Sequence, residues 1–259
     1  MELEQIIDLI EYPITSGEFK RAGREKLDRD GVLILPGFLN RTAIDAISRE
    51  GIENEDKAYF CTKWHNAYLT PSDPDHPKDH PRNREVVSSK GCITDDQIPK
   101  ESPLRTLYDS PDFKGFLAHV LTEEALYPYA DSMSSINLHY ARTGQELGWH
   151  FDESSFSITL MIQPASKGGT FEYVGRIRDA DKGEMNVDGV DKVLNDAVTP
   201  EQLSMDAGAL VMFRGRNSIH RVTPNEGDTT RMLVVLAYNS EPGIALSEPT
   251  QMTFYGRVA

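Results

Sequence analysis

The chain has 259 residues, of which 39% are hydrophobic and 26% are charged, and its formal net charge is −14 at pH 7. An acidic surface repels phosphate backbones, so the composition argues against a nucleic-acid-binding protein. No run approaches 18 apolar residues, which argues against a membrane span. Cys61 and Cys92 are isolated, and the N-terminus is acidic and unlike a signal peptide. We therefore expect two reduced thiols in a cytoplasmic protein.

The N-terminal part of the chain is predicted to be mainly helical. Apolar residues between Ile6 and Ile10 follow helical spacing. Further helices are predicted over residues 19–28, 42–50 and 112–121. Turn residues flank the apolar run Val32–Leu35, which predicts a short buried strand between the second and third helices.

Residues 62–103 interrupt this pattern. Prolines at positions 71, 74, 77, 81 and 99 break any regular element here, so we predict a long loop that acts as a lid or a binding loop. The loop also contains His65, His76 and His80. They would suit a second metal site, but the prolines and charges around them favour a solvated loop.

From residue 135 onwards the pattern changes to short β-rich runs separated by turns, which predicts a sandwich or barrel. The strands are predicted over residues 136–140, 156–163, 169–174, 209–213 and 232–238. The charged segment 176–204 is predicted to be an insertion with helical pieces near residues 190–197. We thus expect a single domain, with a helical and lid region (1–134), a β core (135–240) and a C-terminal tail (241–259).

The residues that indicate chemistry lie in the β core. His150 and Asp152 are two residues apart, and on a strand this spacing points both side chains to one face. His220 follows the strand predicted over 209–213, and Arg231 lies eleven residues after it. Two imidazoles and one carboxylate form the facial triad of non-haem Fe(II) oxygenases. A guanidinium binds a carboxylate bidentately, so Arg231 suits the far end of a 2-oxo acid.

This arrangement resembles the Fe(II)/2-oxoglutarate dioxygenase superfamily. The resemblance extends to the Gly-Gly turn at Gly168 and to the segment from Asp206 to Pro224. It implies a mainly β fold with flanking helices, the double-stranded β-helix (jelly roll, cupin-like). It also implies Fe(II) and O2 as cofactors and 2-oxoglutarate as co-substrate. In this superfamily a tyrosine on the strand before the metal motif often reaches the oxo acid, which suggests Tyr140, and Thr159 is a second candidate. A core role for Tyr140 is equally compatible with the sequence.

More narrowly, the length and the context Trp149-His150-Phe151-Asp152 resemble the radical halogenases of free amino acids, of the BesD type, and their hydroxylase relatives. In the halogenases the carboxylate position is a glycine and chloride takes the vacant metal site. This chain has Asp152 there, which places it with the hydroxylases. The resemblance implies Glu153 as a substrate contact, with Trp149 as a wall of the pocket. The alternatives are a solvated carboxylate and a core tryptophan.

Three functions remain open on the sequence. The first is hydroxylation of a free amino acid, such as the cationic lysine, or a similar small molecule. The second is oxygenation of a protein side chain or a larger natural product. The third is a non-catalytic metal-binding jelly-roll module. Such a module needs no cationic partner for an oxo acid, so the presence of Arg231 is evidence against it. The sequence gives no indication of oligomeric state.

Overall fold

The computed structural model describes residues 1–259 as an eleven-stranded antiparallel sheet with helices packed on one side. The strands are β1 (Val32–Leu35), β2 (Tyr59–Asn66), β3 (Glu85–Ile93), β4 (Ile136–Ala141), β5 (Leu147–His150), β6 (Ser157–Gln163), β7 (Phe171–Val174), β8 (Glu201–Leu203), β9 (Leu210–Phe213), β10 (Ile219–Val222) and β11 (Arg231–Leu236). The helices are α1 (Leu3–Ile6), α2 (Gly17–Asp30), α3 (Arg41–Asn54), α4 (Pro103–Asp109), α5 (Pro111–Leu121), α6 (Val187–Leu194) and α7 (Glu248–Tyr255).

The sheet has the order β1-β9-β6-β11-β4-β3-β5-β10-β7-β8, and β2 pairs with β3 outside this path. Strand β3 links two parts of the sheet, because Gly91 pairs with Tyr140 on β4 whereas Ser88 pairs with Leu147 on β5. Residues from both parts line one cavity, so the sheet curls around it.

Strands β4, β6, β9 and β11 present an apolar face to the helices. Val234 pairs with Leu138 on one side and with Leu160 on the other, and all three are almost completely buried. Helices α3, α4 and α5 cover this face and form the main core with it. Because side chains alternate along a strand, the intervening residues point into the cavity.

Helix α2 lies beside α5, and its start and stop residues are clear. The Ser16 side chain accepts a hydrogen bond from the backbone N–H of Phe19 at the start of α2, and α2 ends at Gly31 with φ of +75°. A serine N-cap and a glycine in the left-handed region are the preferred ends of a helix. The two helices then pack against each other, with the rings of Phe19 and Phe116 stacked at 5.6 Å.

Residues 62–103 are not one long loop, so that prediction was wrong. Strands β2 and β3 lie within and around this stretch and pair along their whole lengths, and the first four of its prolines fall in the connection 67–84. The strands lacked an apolar alternation because one face of the hairpin meets a polar cavity and part of the other meets solvent. Strands β2 and β3 also precede residue 135, so the sheet is not confined to residues 135–240.

The two ends of the chain also differ from expectation. Helix α1 stops at Ile6, because the Asp8 side chain then accepts hydrogen bonds from the backbone N–H groups of Ile10 and Glu11 in a turn. The Ile10 side chain is consequently 97% exposed and not part of a helical apolar face. The C-terminal tail contains α7, which packs against β2 and β3 through the buried Tyr255.

The insertion between the strands contains the helix α6, as the sequence indicated near residues 190–197, and the short strand β8, which was not expected. None of the helices combines the length with the apolar composition that a membrane span requires.

Candidate active site

Three predicted metal ligands lie together where β5 and β10 pair. His150 is the last residue of β5 and pairs with His220 on β10, and Asp152 follows in the turn after β5. The Oδ1 atom of Asp152 lies 3.5 Å from Nε2 of His220 and 3.9 Å from Nε2 of His150. The three potential ligand atoms all fall within 4.8 Å of one another, and no other group of three such side chains occurs in the chain.

Backbone carbonyls set the tautomers of both histidines. Nδ1 of His150 lies 2.8 Å from the carbonyl oxygen of Gly148, and Nδ1 of His220 lies 3.0 Å from that of Ser218. A carbonyl only accepts, so each Nδ1 must carry the proton. Each Nε2 then faces Asp152 and is the atom through which such a histidine binds a metal.

The charges in this cluster also favour a cation. Burial and the neighbouring His220 lower the pKa of His150 to about 3, so its imidazole is neutral. Burial alone would raise the pKa of Asp152, but the two histidines outweigh it and lower that pKa. Asp152 raises the pKa of His220 despite its burial, and a metal would take the place of that proton, because a metal binds the neutral imidazole and the ionised carboxylate.

Asp152 itself shows that a ligand is missing from this set of contacts. Its Oδ2 is buried and has no hydrogen-bond partner. The carboxylate also packs tightly against Gly215, where an added Cβ would come within 2.0 Å of Oδ2. A buried carboxylate oxygen without a partner is costly unless something binds it. The donor set of two imidazoles and one carboxylate therefore fits Fe(II).

Arg231 lies in the same cavity, which has a volume of about 290 Å³. Its Nε is buried without a hydrogen-bond partner, and no carboxylate of the chain forms an ion pair with it. Burial lowers the pKa of Arg231 to about 10, so it stays charged at neutral pH. Gly169 makes room for it, because an added Cβ would lie 3.2 Å from its Cδ. This buried, unpaired guanidinium fits a carboxylate of an incoming molecule.

Thr159 and Tyr140 differ in where their hydroxyl groups lie. Thr159 lines the cavity and its hydroxyl makes no hydrogen bond within the chain. The hydroxyl of Tyr140 instead donates a 2.7 Å hydrogen bond to the carbonyl of Gly51 on α3, within the main core. Tyr140 shares the apolar face with Leu138, so its hydroxyl lies in the core although the residue also borders the cavity, whereas His139 points into it.

Neither of the two predicted substrate contacts lines the cavity. Trp149 lies between Gly148 and His150 and so points away from the metal ligands, into a small core cluster with Phe151. The Arg221 guanidinium lies over its ring at 4.6 Å. Trp149 is therefore a packing residue and not a pocket wall. The Glu153 side chain is exposed in the turn after β5, where only its backbone carbonyl is engaged, by Arg216.

Residues missed from the sequence come from β3 and β4. Lys90 lines the cavity from β3, and its Nζ lies 3.3 Å from Nδ1 of His139 on β4. Lys90 was not found because its strand was not recognised. The alternation of β4 left two orientations open for His139, and only the packing of Leu138 and Tyr140 on the helices decides between them.

The remaining histidines of the predicted loop do not form a second metal centre. The rings of His76 and His80 stack at 3.9 Å in the connection between β2 and β3, without a third ligand beside them. His65 lies on β2, and its ring meets that of His150 edge-on at 6.0 Å. Its Nε2 lies 2.7 Å from the Ser88 hydroxyl, so it packs beside the site without joining the ligand set.

Comparisons with known proteins agree with this geometry. A model of the Halogenase D family matches residues 16–253. The structure is similar to the non-haem α-ketoglutarate-dependent carbocyclase SnoK from nogalamycin biosynthesis, at 14% identity and a TM-score of 0.59, with 94% of this chain and 93% of that chain covered. It is also similar to a prolyl hydroxylase from Trichoplax adhaerens bound to a hypoxia-inducible-factor peptide, at 12% identity and a TM-score of 0.56, with 86% and 90% covered.

At such identities the structural likeness establishes the fold alone, and it confirms the predicted double-stranded β-helix. A 2OG-Fe(II) oxygenase family oxidoreductase from Burkholderia pseudomallei shares the fold at 13% identity and a TM-score of 0.53, with 87% of this chain and 92% of that chain covered. A comparison with curated protein sequences found no match.

Proposed function

Because the chain belongs to the Halogenase D family and has the fold of the 2-oxoglutarate oxygenases, we propose that it is an Fe(II)- and 2-oxoglutarate-dependent hydroxylase of a free amino acid. The observation that carries this proposal is the buried cluster of His150, Asp152 and His220, in which Asp152 keeps an unpaired oxygen. Bound Fe(II), with 2-oxoglutarate and O2, would supply the oxidising power that removes hydrogen from an unactivated C–H bond.

The protein's part in this chemistry is to hold and orient. Gly148 and Ser218 fix the two imidazoles through their carbonyls, so Nε2 of each ligand histidine is ready to bind the metal. Gly215 makes room for the Asp152 carboxylate beside them, because an added Cβ would come within 2.0 Å of Oδ2. The metal would thus have three protein ligands on one side and free positions on the side of the cavity.

The co-substrate would be held by Arg231 and Thr159. Arg231 supplies a desolvated charge with no internal partner, and Thr159 supplies a free hydroxyl on a neighbouring strand. A low-dielectric pocket strengthens such a charge-assisted contact. Apolar residues on the same face, Leu233 and Val211, would shield the methylene groups of 2-oxoglutarate from water.

Hydroxylation, and not halogenation, is the proposed outcome because Asp152 occupies the ligand position that a halide would need. The halogenases that this chain resembles have a glycine at that position. An Asp152→Gly variant should open the position for chloride, but we expect little chlorination. The substrate would also have to be held away from hydroxyl transfer, and that requires further changes around the site.

A free amino acid, with a cationic or polar side chain, is the proposed substrate class. The resemblance to enzymes that act on free amino acids supports it. Glu153 is exposed one residue after a proposed ligand and its carboxylate has no partner within the chain, so it is free to take an ammonium group. A protein side chain or a larger natural product remains the competing substrate class.

The test is 2-oxoglutarate turnover with each proteinogenic amino acid in chloride buffer. We expect one or a few amino acids to stimulate succinate formation and to gain one oxygen by mass spectrometry. The His220→Ala variant serves as the control for metal-dependent turnover. A chlorinated product would contradict the role of Asp152. Coupling to a peptide or a polyketide scaffold, with no response to any amino acid, would replace the proposed substrate class.

A further inference from the structure

A second chamber, of about 270 Å³, adjoins the cavity that contains the metal ligands. Four residues line both spaces: Lys90, His139, Ser154 and Val235. Helix α7 closes the far side of the second chamber with Phe254 and Tyr255. The two spaces are therefore adjacent at Lys90, which lies on the wall of both.

Lys90 is an unusual residue to find at this junction. Its ammonium group lies 3.3 Å from Nδ1 and 3.4 Å from Nε2 of His139, and no carboxylate of the chain lies within ion-pair distance. Burial lowers the pKa of both Lys90 and His139. A neutral imidazole compensates an ammonium only in part, and both side chains are half-buried, so a counter-charge would stabilise Lys90. An anion bound at this junction would supply that counter-charge.

The rest of the second chamber does not supply one. Its other lining residues are uncharged, with the polar side chains of Tyr129, Ser134 and Asn137 among them. The chamber thus combines one positive charge with neutral polar and apolar walls. Such a space selects for an anionic group at Lys90 and a neutral chain beyond it, and against a cation.

The co-substrate does not account for this charge. A 2-oxo diacid has two carboxylates, and the metal centre and Arg231 already offer a partner for each. Lys90 is on β3 and Arg231 is on β11, with β4 between them, so the two cations are separate subsites of one continuous space.

We propose that Lys90 and His139 form an anion subsite that binds the carboxylate of the organic substrate, with the second chamber accommodating a neutral part of the same molecule. This inference rests on the proposed function only where it identifies the bound molecule as the substrate. The presence of an anion subsite at Lys90 follows from the cavity itself. The chemical class is a carboxylic acid, and an amino acid would bind here through its carboxylate.

The experiment measures whether the enzyme distinguishes butyrate from butyramide, which differ in charge and hardly in shape. The protein is loaded with Zn(II) and 2-oxoglutarate, and binding of each probe is followed by ligand-observed NMR. We expect wild type to bind butyrate more tightly than butyramide by about tenfold, the size of one charge-assisted contact. Lys90→Met should abolish this preference, and Lys90→Arg should keep most of it.

Lys63→Met is the matched control, because Lys63 is an exposed lysine on the neighbouring strand β2. It should leave the preference unchanged. If Lys90→Met does not fold, Lys90→Gln removes the charge and retains a polar end, and it should lose the preference equally.

Two results would overturn the subsite. A preference for butyrate that persists without the Lys90 charge would mean that the carboxylate binds the metal instead. A tenfold rise in the 2-oxoglutarate concentration needed for half-saturation of Lys90→Met would assign Lys90 to the co-substrate. Because butyrate is a probe and not the substrate, failure of every amino acid in the turnover screen would count against the proposed function and leave this result intact.

Discussion

The two faces of strands β4, β6 and β11 differ in what they leave unsatisfied. On the helix side, Leu138, Leu160 and Val234 form a row of apolar contacts that is complete within the chain. On the cavity side, at odd-numbered spacings from these residues along their strands, lie His139, Thr159 and Arg231. Because side chains alternate along a strand, one face of these strands stabilises the fold and the other face binds ligands.

Buried polar atoms without a hydrogen-bond partner show the same difference between the two faces. Four buried side-chain atoms in the chain have no hydrogen-bond partner, and two of them belong to Asp152 and Arg231. Folded proteins rarely leave such groups unpaired without a reason. The cavity face is thus incomplete until ligands bind, whereas the helix face needs nothing further. Substitutions on the two faces should therefore affect different measurements.

The largest effect is expected for His220→Ala, which removes a proposed ligand from the cavity side. Loss of groups that merely orient a metal ligand costs about 10–100-fold in metal affinity, so loss of the ligand itself should exceed about 100-fold. Metal content after dialysis and turnover should fall together. His76→Ala, in the connection between β2 and β3, should keep full iron content. Equal iron content in His220→Ala would disprove the ligand assignment.

Arg231→Ala should have the next largest effect, and it should change only the binding of 2-oxoglutarate. Loss of a desolvated charge pair costs about 2–5 kcal/mol, so the 2-oxoglutarate requirement should rise by more than about tenfold. Arg41→Ala provides the control, since the Arg41 side chain is 82% exposed and pairs only with Asp45. An unchanged requirement would mean that another residue holds the co-substrate.

Leu160→Ala and Thr159→Ala test the contrast at neighbouring positions of one strand. Leu160 is fully buried in the core, so its truncation should lower the free energy of unfolding by about 2–5 kcal/mol. Thr159→Ala should change stability by less than about 1 kcal/mol, but should raise the 2-oxoglutarate requirement severalfold. Chemical denaturation and steady-state kinetics measure both variants. A loss of stability for Thr159→Ala equal to that for Leu160→Ala would remove the distinction between the faces.

Tyr140→Phe should have the smallest effect, and only on stability. Removing its hydroxyl leaves the Gly51 carbonyl unsatisfied inside the core, which should cost about 1–3 kcal/mol. The 2-oxoglutarate requirement should remain that of wild type, because the hydroxyl points away from the cavity. A clear rise in that requirement would restore Tyr140 as a co-substrate contact.

The sequence was informative where hydrophobic patterning and motif spacing act locally. Strands β4, β6, β9 and β11 and helices α2, α3 and α5 follow their apolar periodicity closely, because each has one face in the main core. The spacing of His150, Asp152 and His220 also predicted the cluster that the structure shows.

The features that the sequence could not predict depend on which face of each strand packs on the helices and which face meets the cavity or solvent. The β2–β3 hairpin carries polar residues towards the cavity and towards solvent, so its strands look like loop. Tyr140 and His139 were both plausible cavity residues until the packing of β4 on the helices fixed their directions. Lys90 follows from neither periodicity nor motif, since only the pairing of β3 with β4 brings it to His139.

The most direct test of the metal and co-substrate assignment is an anaerobic titration of the apoprotein with Fe(II) and 2-oxoglutarate. A 2-oxo acid that chelates Fe(II) gives a visible charge-transfer absorption band. We predict that the band saturates at one Fe(II) per chain, and that Arg231→Ala needs more than about tenfold more 2-oxoglutarate to reach it. Absence of the band from the folded wild-type protein at saturating Fe(II) and 2-oxoglutarate would contradict the account.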